Sequence, residues 1–154
     1  MLDELRARMI AHLSQHCAGV LSAAGAPGAW AMPVRYRSRG LEVDCLLPRW
    51  ADAGYHLQQN PHAVLVIQET NGSTGQRWLQ YRGIAQPVTS PDWKEWLTGE
   101  TPTALADGLY LVVHLTPERI DLIDESRGWG ARETLEIVKD EGGRRKDEGN
   151  EAIS

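Results

Sequence analysis

The chain has 154 residues, 42% of them hydrophobic, with 15 Gly and 8 Pro, which fits one globular domain around one core and excludes a multidomain machine. With 16 Lys and Arg against 21 Asp and Glu, the formal net charge is −5, the wrong sign for a protein that grips nucleic-acid phosphates through a basic face. The segment from Met1 to Cys17 is polar and amphipathic, and no apolar run approaches a membrane span, so a cytoplasmic protein without membrane association is expected.

Leu2, Leu5, Met9 and Leu13 recur at helical spacing with Asp3, Glu4, Arg6 and Arg8 on the other faces, which predicts a packed surface helix ending near Cys17. Ala18 to Ala23 reads as a buried strand, residues 24–28 as a Gly/Pro loop, and Ala29 to Arg37 as the returning strand. After a turn at Ser38, Arg39 and Gly40, the alternation of Leu41, Val43, Cys45 and Leu47 with Glu42, Asp44 and Leu46 predicts a strand with one clearly apolar face. Ala53 and Leu57 give residues 51–60 the spacing of a short helix, stopped where Asn60 precedes Pro61.

Ala63 to Ile67 is a dense aliphatic run, and residues 71–75 supply a turn into a long strand from Arg77 to about Val88, so the two pair as a hairpin. Ser90 is placed to cap a helix that opens with Pro91 and Asp92 and carries Trp93, Trp96 and Leu97 on one face. Leu109 to Leu115 returns to strand, Thr116, Pro117 and Glu118 read as a turn, and Ile120, Leu122 and Ile123 as a last short strand. From 140 onward the chain is almost wholly polar, which predicts a flexible charged tail at 140–154 behind a domain at 1–139. The fold class is mainly β with peripheral helices (α+β), a barrel of about six or seven strands.

Chemical motifs are sparse. Cys17 and Cys45 lack Cys-x-x-Cys spacing and read as buried small hydrophobes in a reducing compartment. His12 and His16 stand four apart on the first helix but have no third ligand nearby, so no metal site is expected. No nucleophile elbow, dinucleotide fingerprint or P-loop is present, and no catalytic side chain is assigned.

The order of elements resembles the FMN-binding split-barrel proteins, the pyridoxamine 5′-phosphate oxidase-like superfamily. The resemblance runs from about Leu5 to Trp129. It rests on Val20-Leu21-Ser22-Ala23, Met32-Pro33-Val34, Leu57-Gln58-Gln59-Asn60-Pro61 before Ala63-Val64-Leu65-Val66, Tyr81-Arg82-Gly83-Ile84-Ala85, and Leu115-Thr116-Pro117-Glu118-Arg119-Ile120. It implies a split β-barrel, a homodimer with flavin sites between subunits, and a phosphate held near the end of the third strand and the following helix. Where many members carry a hydroxyl residue and a Ser-Arg-Lys-like triplet, this chain has Leu47 and Pro48, then Ala51, Asp52 and Ala53, without the lysine.

On this resemblance the cofactor-binding candidates are Arg35, Arg37, Arg49, Trp50, His56, Arg127 and Trp129. Arg49 and the helix start near Ala51 are expected at the phosphate, with Arg35 or Arg37 reaching from the next strand. Gly128 and Gly130 flank Trp129 and permit a close approach, so Trp129 is expected to face the partner's cleft, with Arg127 or Arg132 meeting an anionic ligand. The 6 Trp in a chain without Phe add to the expectation of an interface. Two functions stay open: an FMN-dependent (or deazaflavin-dependent) oxidoreductase acting on a small molecule, and a non-catalytic split-barrel binder of haem or another ligand.

Overall fold

The computed structural model describes residues 2–25, 28–69, 76–97, 103–139 and 145–153. Helix α1 (Leu2–Gln15) buries Leu5, Met9 and Leu13 completely, the stripe that its spacing requires. The Tyr36 hydroxyl donates to the Leu13 carbonyl at 2.7 Å, which satisfies an acceptor left open in the last helical turn and ties α1 to the sheet. His12 is buried on the same helix, with Nε2 3.1 Å from the Ile67 carbonyl. His16 places Nδ1 2.8 Å from the His12 carbonyl and stacks on its ring.

Six antiparallel strands form the barrel: β1 (Ala18–Gly25), β2 (Gly28–Arg39), β3 (Glu42–Pro48), β4 (His62–Glu69), β5 (Arg77–Pro87) and β6 (Tyr110–Asp124). Their order is β3-β2-β1-β4-β5-β6, and β6 returns to β3 from Val43↔Leu115 to Pro48↔Tyr110, so the sheet closes on itself. Leu21, Leu65, Tyr81 and Ile120 stand in one register row across β1, β4, β5 and β6 and are all fully buried. The expected apolar faces, Leu41/Val43/Cys45/Leu47 and Ala63/Leu65/Ile67, line this same core.

Helix α2 (Ala53–Gln59) adds Ala53 and Leu57 to the core and stops at the extended residue Asn60 before Pro61, as its sequence dictates. Helices α3 (Trp93–Trp96) and α4 (Thr103–Leu109) cover the outer sides of β3 and β6, where Leu46, Trp93, Ala106 and Val112 make a second cluster. Strands β7 (Ala131–Lys139) and β8 (Arg145–Ile153) extend the sheet from β6.

The structure differs from the sequence reading in five places. Residues 116–118 are not a turn: β6 is continuous, and Pro117 is absorbed by a bulge in which Arg82 pairs with Arg119 and Gly83 with Pro117, leaving Glu118 as the extra residue. Gly83 is required there, because a Cβ would lie 2.5 Å from the Thr116 carbonyl oxygen. The α3 cap is Asp92, whose side chain accepts from the Lys94 N–H. Ser90 instead takes a left-handed backbone, φ 59°. Cys17 is exposed, since it follows the end of α1 rather than facing the core, while Cys45 is buried. Helix α4 and strand β7 were not expected, since Arg132, Glu133, Thr134 and Glu136 hide the alternation of β7.

The fifth place is the charged tail, of which 145–153 pairs with β7 as β8. The backbone groups of a sheet edge can be met without apolar side chains. The turn at 71–75, the loop tip at 26–27 and the segment 140–144 lie outside the described residues.

Tyr81 crosses the barrel interior from β5. Its hydroxyl donates to the Leu41 carbonyl at 2.6 Å and lies 3.1 Å from that of Leu115. Tyr81→Phe leaves a buried acceptor without its donor and should lower unfolding stability by about 1–3 kcal/mol, read as a fall in the urea midpoint at unchanged slope. An unchanged midpoint would show that the hydroxyl does not secure the closure.

Candidate functional site

Alternation along the strands sends Ser22, Ala31, Val64 and Arg82 to the outer side of the barrel in one register row, Ala31↔Ser22↔Val64↔Arg82. They line an open cleft of about 780 Å³ together with Ala24, Ala29, Trp30, Asn60, His62 and Glu118. Its floor is built from Ser and Ala on the β1–β2 hairpin, so no side chain there projects beyond the first atom or two. The rim is polar. His62 Nδ1 lies 3.4 Å from Glu118 Oε1, whereas Arg82 is exposed and has no carboxylate partner among the described residues.

Helix α2 fixes one end of the cleft. The Asn60 side-chain amide donates to the Ala24 carbonyl at 2.7 Å, and the His56 ring sits 6.3 Å from the Trp30 ring. Trp30 Nε1 and His56 Nδ1 are both buried without a hydrogen-bond partner, an uncommon condition for two polar atoms at the edge of one cleft.

None of the seven residues singled out from sequence lines this cleft, and His56 approaches it only beside Trp30. Arg35 and Arg37 are exposed on β2, and the Arg37 guanidinium donates to the Glu95 carbonyl. Arg37 lines a smaller cavity of about 200 Å³ with Glu42, Asp44 and His114, where His114 Nδ1 is 2.6 Å from Asp44 Oδ1. Arg49 lines a separate cavity of about 440 Å³ on the other side of α2, and its Nε donates to the Asp107 carbonyl. Trp50 is 82% exposed and Trp129 91% exposed, the latter on a turn between Gly128 (φ 129°) and Gly130 (φ 75°).

Ala51 and Ala53 bring no side-chain donor to the start of α2, and Asp52 there makes no capping bond. What sequence reasoning missed is the cleft itself. Its signal was the row of small residues facing one another along the hairpin, Ser22 and Ala24 against Ala29 and Ala31, together with Arg82 on the outer side of a core strand.

No protein-family profile matches the chain, and no curated protein sequence does. Solved structures do. A Clostridium acetobutylicum protein related to general stress protein 26, of the pyridoxinephosphate oxidase family, superposes with TM-score 0.69 at 13% identity over 87% of this chain and 95% of its own. An FAD-binding protein from Mesorhizobium loti gives TM-score 0.58 at 12% identity over 75% and 90%. A heme binding protein from Mycobacterium smegmatis gives 0.62 at 18% over 85% of this chain and 56% of its own. The fold is that of the pyridoxamine 5′-phosphate oxidase-like split barrels. No helix among the described residues is long and apolar enough to cross a membrane.

Arg127 has a structural partner in Glu133 of β7. Glu133 accepts from Arg8 of α1 at 2.7 and 2.5 Å and from Arg127 at 2.8 Å. The Arg8 hydrogen bonds, with the nearby charges of Arg8 and Arg127, hold the Glu133 carboxyl below its ordinary pKa. A depressed carboxyl pKa stabilises the folded chain above the unfolded value of about 4.3 and loses that contribution as pH falls through the folded value. Glu133→Gln should therefore lower stability at pH 7 by about 1–2 kcal/mol, within the range for charged hydrogen bonds on a partly exposed partner. The gap from wild type should narrow as pH drops below about 4. Urea midpoints at the two pH values measure both effects, and a constant gap would mean that the carboxylate charge contributes nothing.

Proposed function

We propose that the chain is a flavin-binding, oxidoreductase-like split barrel of the cytoplasm that holds its cofactor ring in the 780 Å³ cleft. The observation that carries this reading is the small-residue floor of Ser22, Ala24, Ala29 and Ala31, on which a planar conjugated ring can lie in full contact with the hairpin. Arg82, with His62 beside it on the rim, is the cationic group available to the anionic end of FMN. The usual phosphate donors have no counterpart at Ala51, Asp52 and Ala53. The deazaflavin ring makes the same demands on this floor. A bound flavin supplies hydride or electron transfer, and the chain's own residues hold the ring, orient it and exclude water from its covered face.

A second reading, haem binding without catalysis, is favoured by one feature. His62 stands on the rim of the same cleft with Nδ1 facing the Glu118 carboxylate, the outer-shell arrangement that orients a metal-ligating imidazole and leaves Nε2 for the metal.

A second copy of the chain completes the site in this reading. Val20 is 43% exposed, and Val64, Val66 and Trp78 are half-buried on the outer sides of β1, β4 and β5 beside the cleft. An apolar sheet face of this kind is suited to a partner. The exposed Trp129 between two glycines is the further contact by which the partner can reach the cleft.

Titration of the purified chain with FMN, FAD and hemin, followed by absorption, tests the reading. Flavin binding should perturb the visible flavin bands, and Ala31→Trp, which fills the floor at an exposed position, should weaken it at least tenfold without lowering the melting temperature. A hemin Soret shift that disappears in His62→Ala would replace flavin by haem. Binding of neither overturns both. In sedimentation at micromolar concentration the chain should run as a dimer and Val66→Asp as a monomer. A monomeric wild type would remove the shared site.

A further inference from the structure

The 440 Å³ cavity shares no lining residue with the cleft described above, and α2 stands between them. Its volume falls within the roughly 300–1,000 Å³ of small-molecule sites. Leu57 of α2, Ala85 of β5, and Val112 and Val113 of β6 are buried in its wall, with Val88 and Leu111 half-buried. The exposed lining residues are nearly all polar: Arg49, Gln58, Thr89, Ser90 and Asp107. An apolar floor under a polar rim matches a ligand with an apolar body and one polar head.

The charges decide the sign of that head. Asp107 Oδ1 accepts from the Trp93 indole N–H at 3.0 Å, which anchors that carboxylate oxygen to α3. Arg49 is held in place twice, by its backbone N–H on the Leu109 carbonyl at 2.9 Å and by Nε on the Asp107 carbonyl. Its two terminal amino groups, the pair that forms the fork for a carboxylate, make no hydrogen bond among the described residues. The hydroxyls of Thr89 and Ser90 stand on the same rim as further donors.

Ser90 is the one described residue other than glycine with positive φ, at 59°. That conformation is strained in a non-glycine residue and is retained where the surroundings impose it, frequently at ligand sites.

We propose that this cavity is a second, separate binding site for a small monocarboxylate with an apolar body, whose head is received by Arg49 and the Thr89 and Ser90 hydroxyls. A single arginine beside Asp107 suits one negative charge rather than the two of a phosphate monoester.

Isothermal titration of the full chain with octanoate, 1-octanol and octylamine tests the proposal. Octanoate should bind at least tenfold tighter than either of the others, and Arg49→Met should reduce it to the level of octanol, while Arg49→Lys retains most of the preference. Val88→Trp, which fills the cavity from its wall without touching the rim charges, should abolish all three. Ala31→Trp, which fills the other cleft, should leave octanoate binding unchanged. The proposal is overturned by absence of binding, by equal affinity for the three probes, or by preference for octylamine. It is equally overturned by wild-type affinity in Arg49→Met, or by loss of octanoate binding in Ala31→Trp.

Discussion

The β3–β6 ladder is the contact on which the rest of this structure depends. Without the pairings from Val43↔Leu115 to Pro48↔Tyr110 the sheet would be an open sequence of strands with β3 exposed at one edge. With them, the inward residues of all six strands face one another, and Tyr81 can span the interior to the Leu41 and Leu115 carbonyls. Closure also fixes what lies outside. Because β3 and β6 are joined, α3 and α4 have a continuous apolar surface in Leu46 and Val112 to pack on, and the far side of the barrel, β1, β2, β4 and β5, is left for the cleft.

The barrel was legible because its information is local. The period-2 pattern of Leu41, Val43, Cys45 and Leu47, the aliphatic run Ala63 to Ile67 and the Asn60-Pro61 stop each depend on residues within one element, and all three elements form as written. The failures were non-local. Pro117 reads as a turn in isolation, and only the facing Gly83, a strand away, provides the room that keeps β6 continuous. Strand β7 buries Glu133 and Thr134 next to Leu135, which breaks the alternation, and the partners of these polar groups, Arg8 and Asp121, lie outside the strand, so its own periodicity does not announce it.

The proposed cleft was less legible for a related reason. Sequence reasoning looks for groups that do something, and so selected arginines and tryptophans, whereas the cleft is defined by groups that leave space. Ser22, Ala24, Ala29 and Ala31 are unremarkable singly. They become a surface only when the register of the hairpin sets them side by side. Arg49 was selected by its position after β3 and does line a cavity, though one on the opposite side of α2 from the cleft.

Strand β6 runs unbroken for 15 residues, walls the 440 Å³ cavity with Leu111 to Val113 and reaches the cleft at Glu118. Such a strand has little tolerance for changes in length. Inserting one residue near Val113 would turn every later side chain to the opposite face, carrying Ile120 and Leu122 out of the core. The bulge at Glu118 is the exception, since one residue there already stands outside the pairing. Descendants of this sequence can therefore gain or lose a residue at that point and keep both the core and the 440 Å³ cavity, while the same event a few positions earlier would cost them the fold.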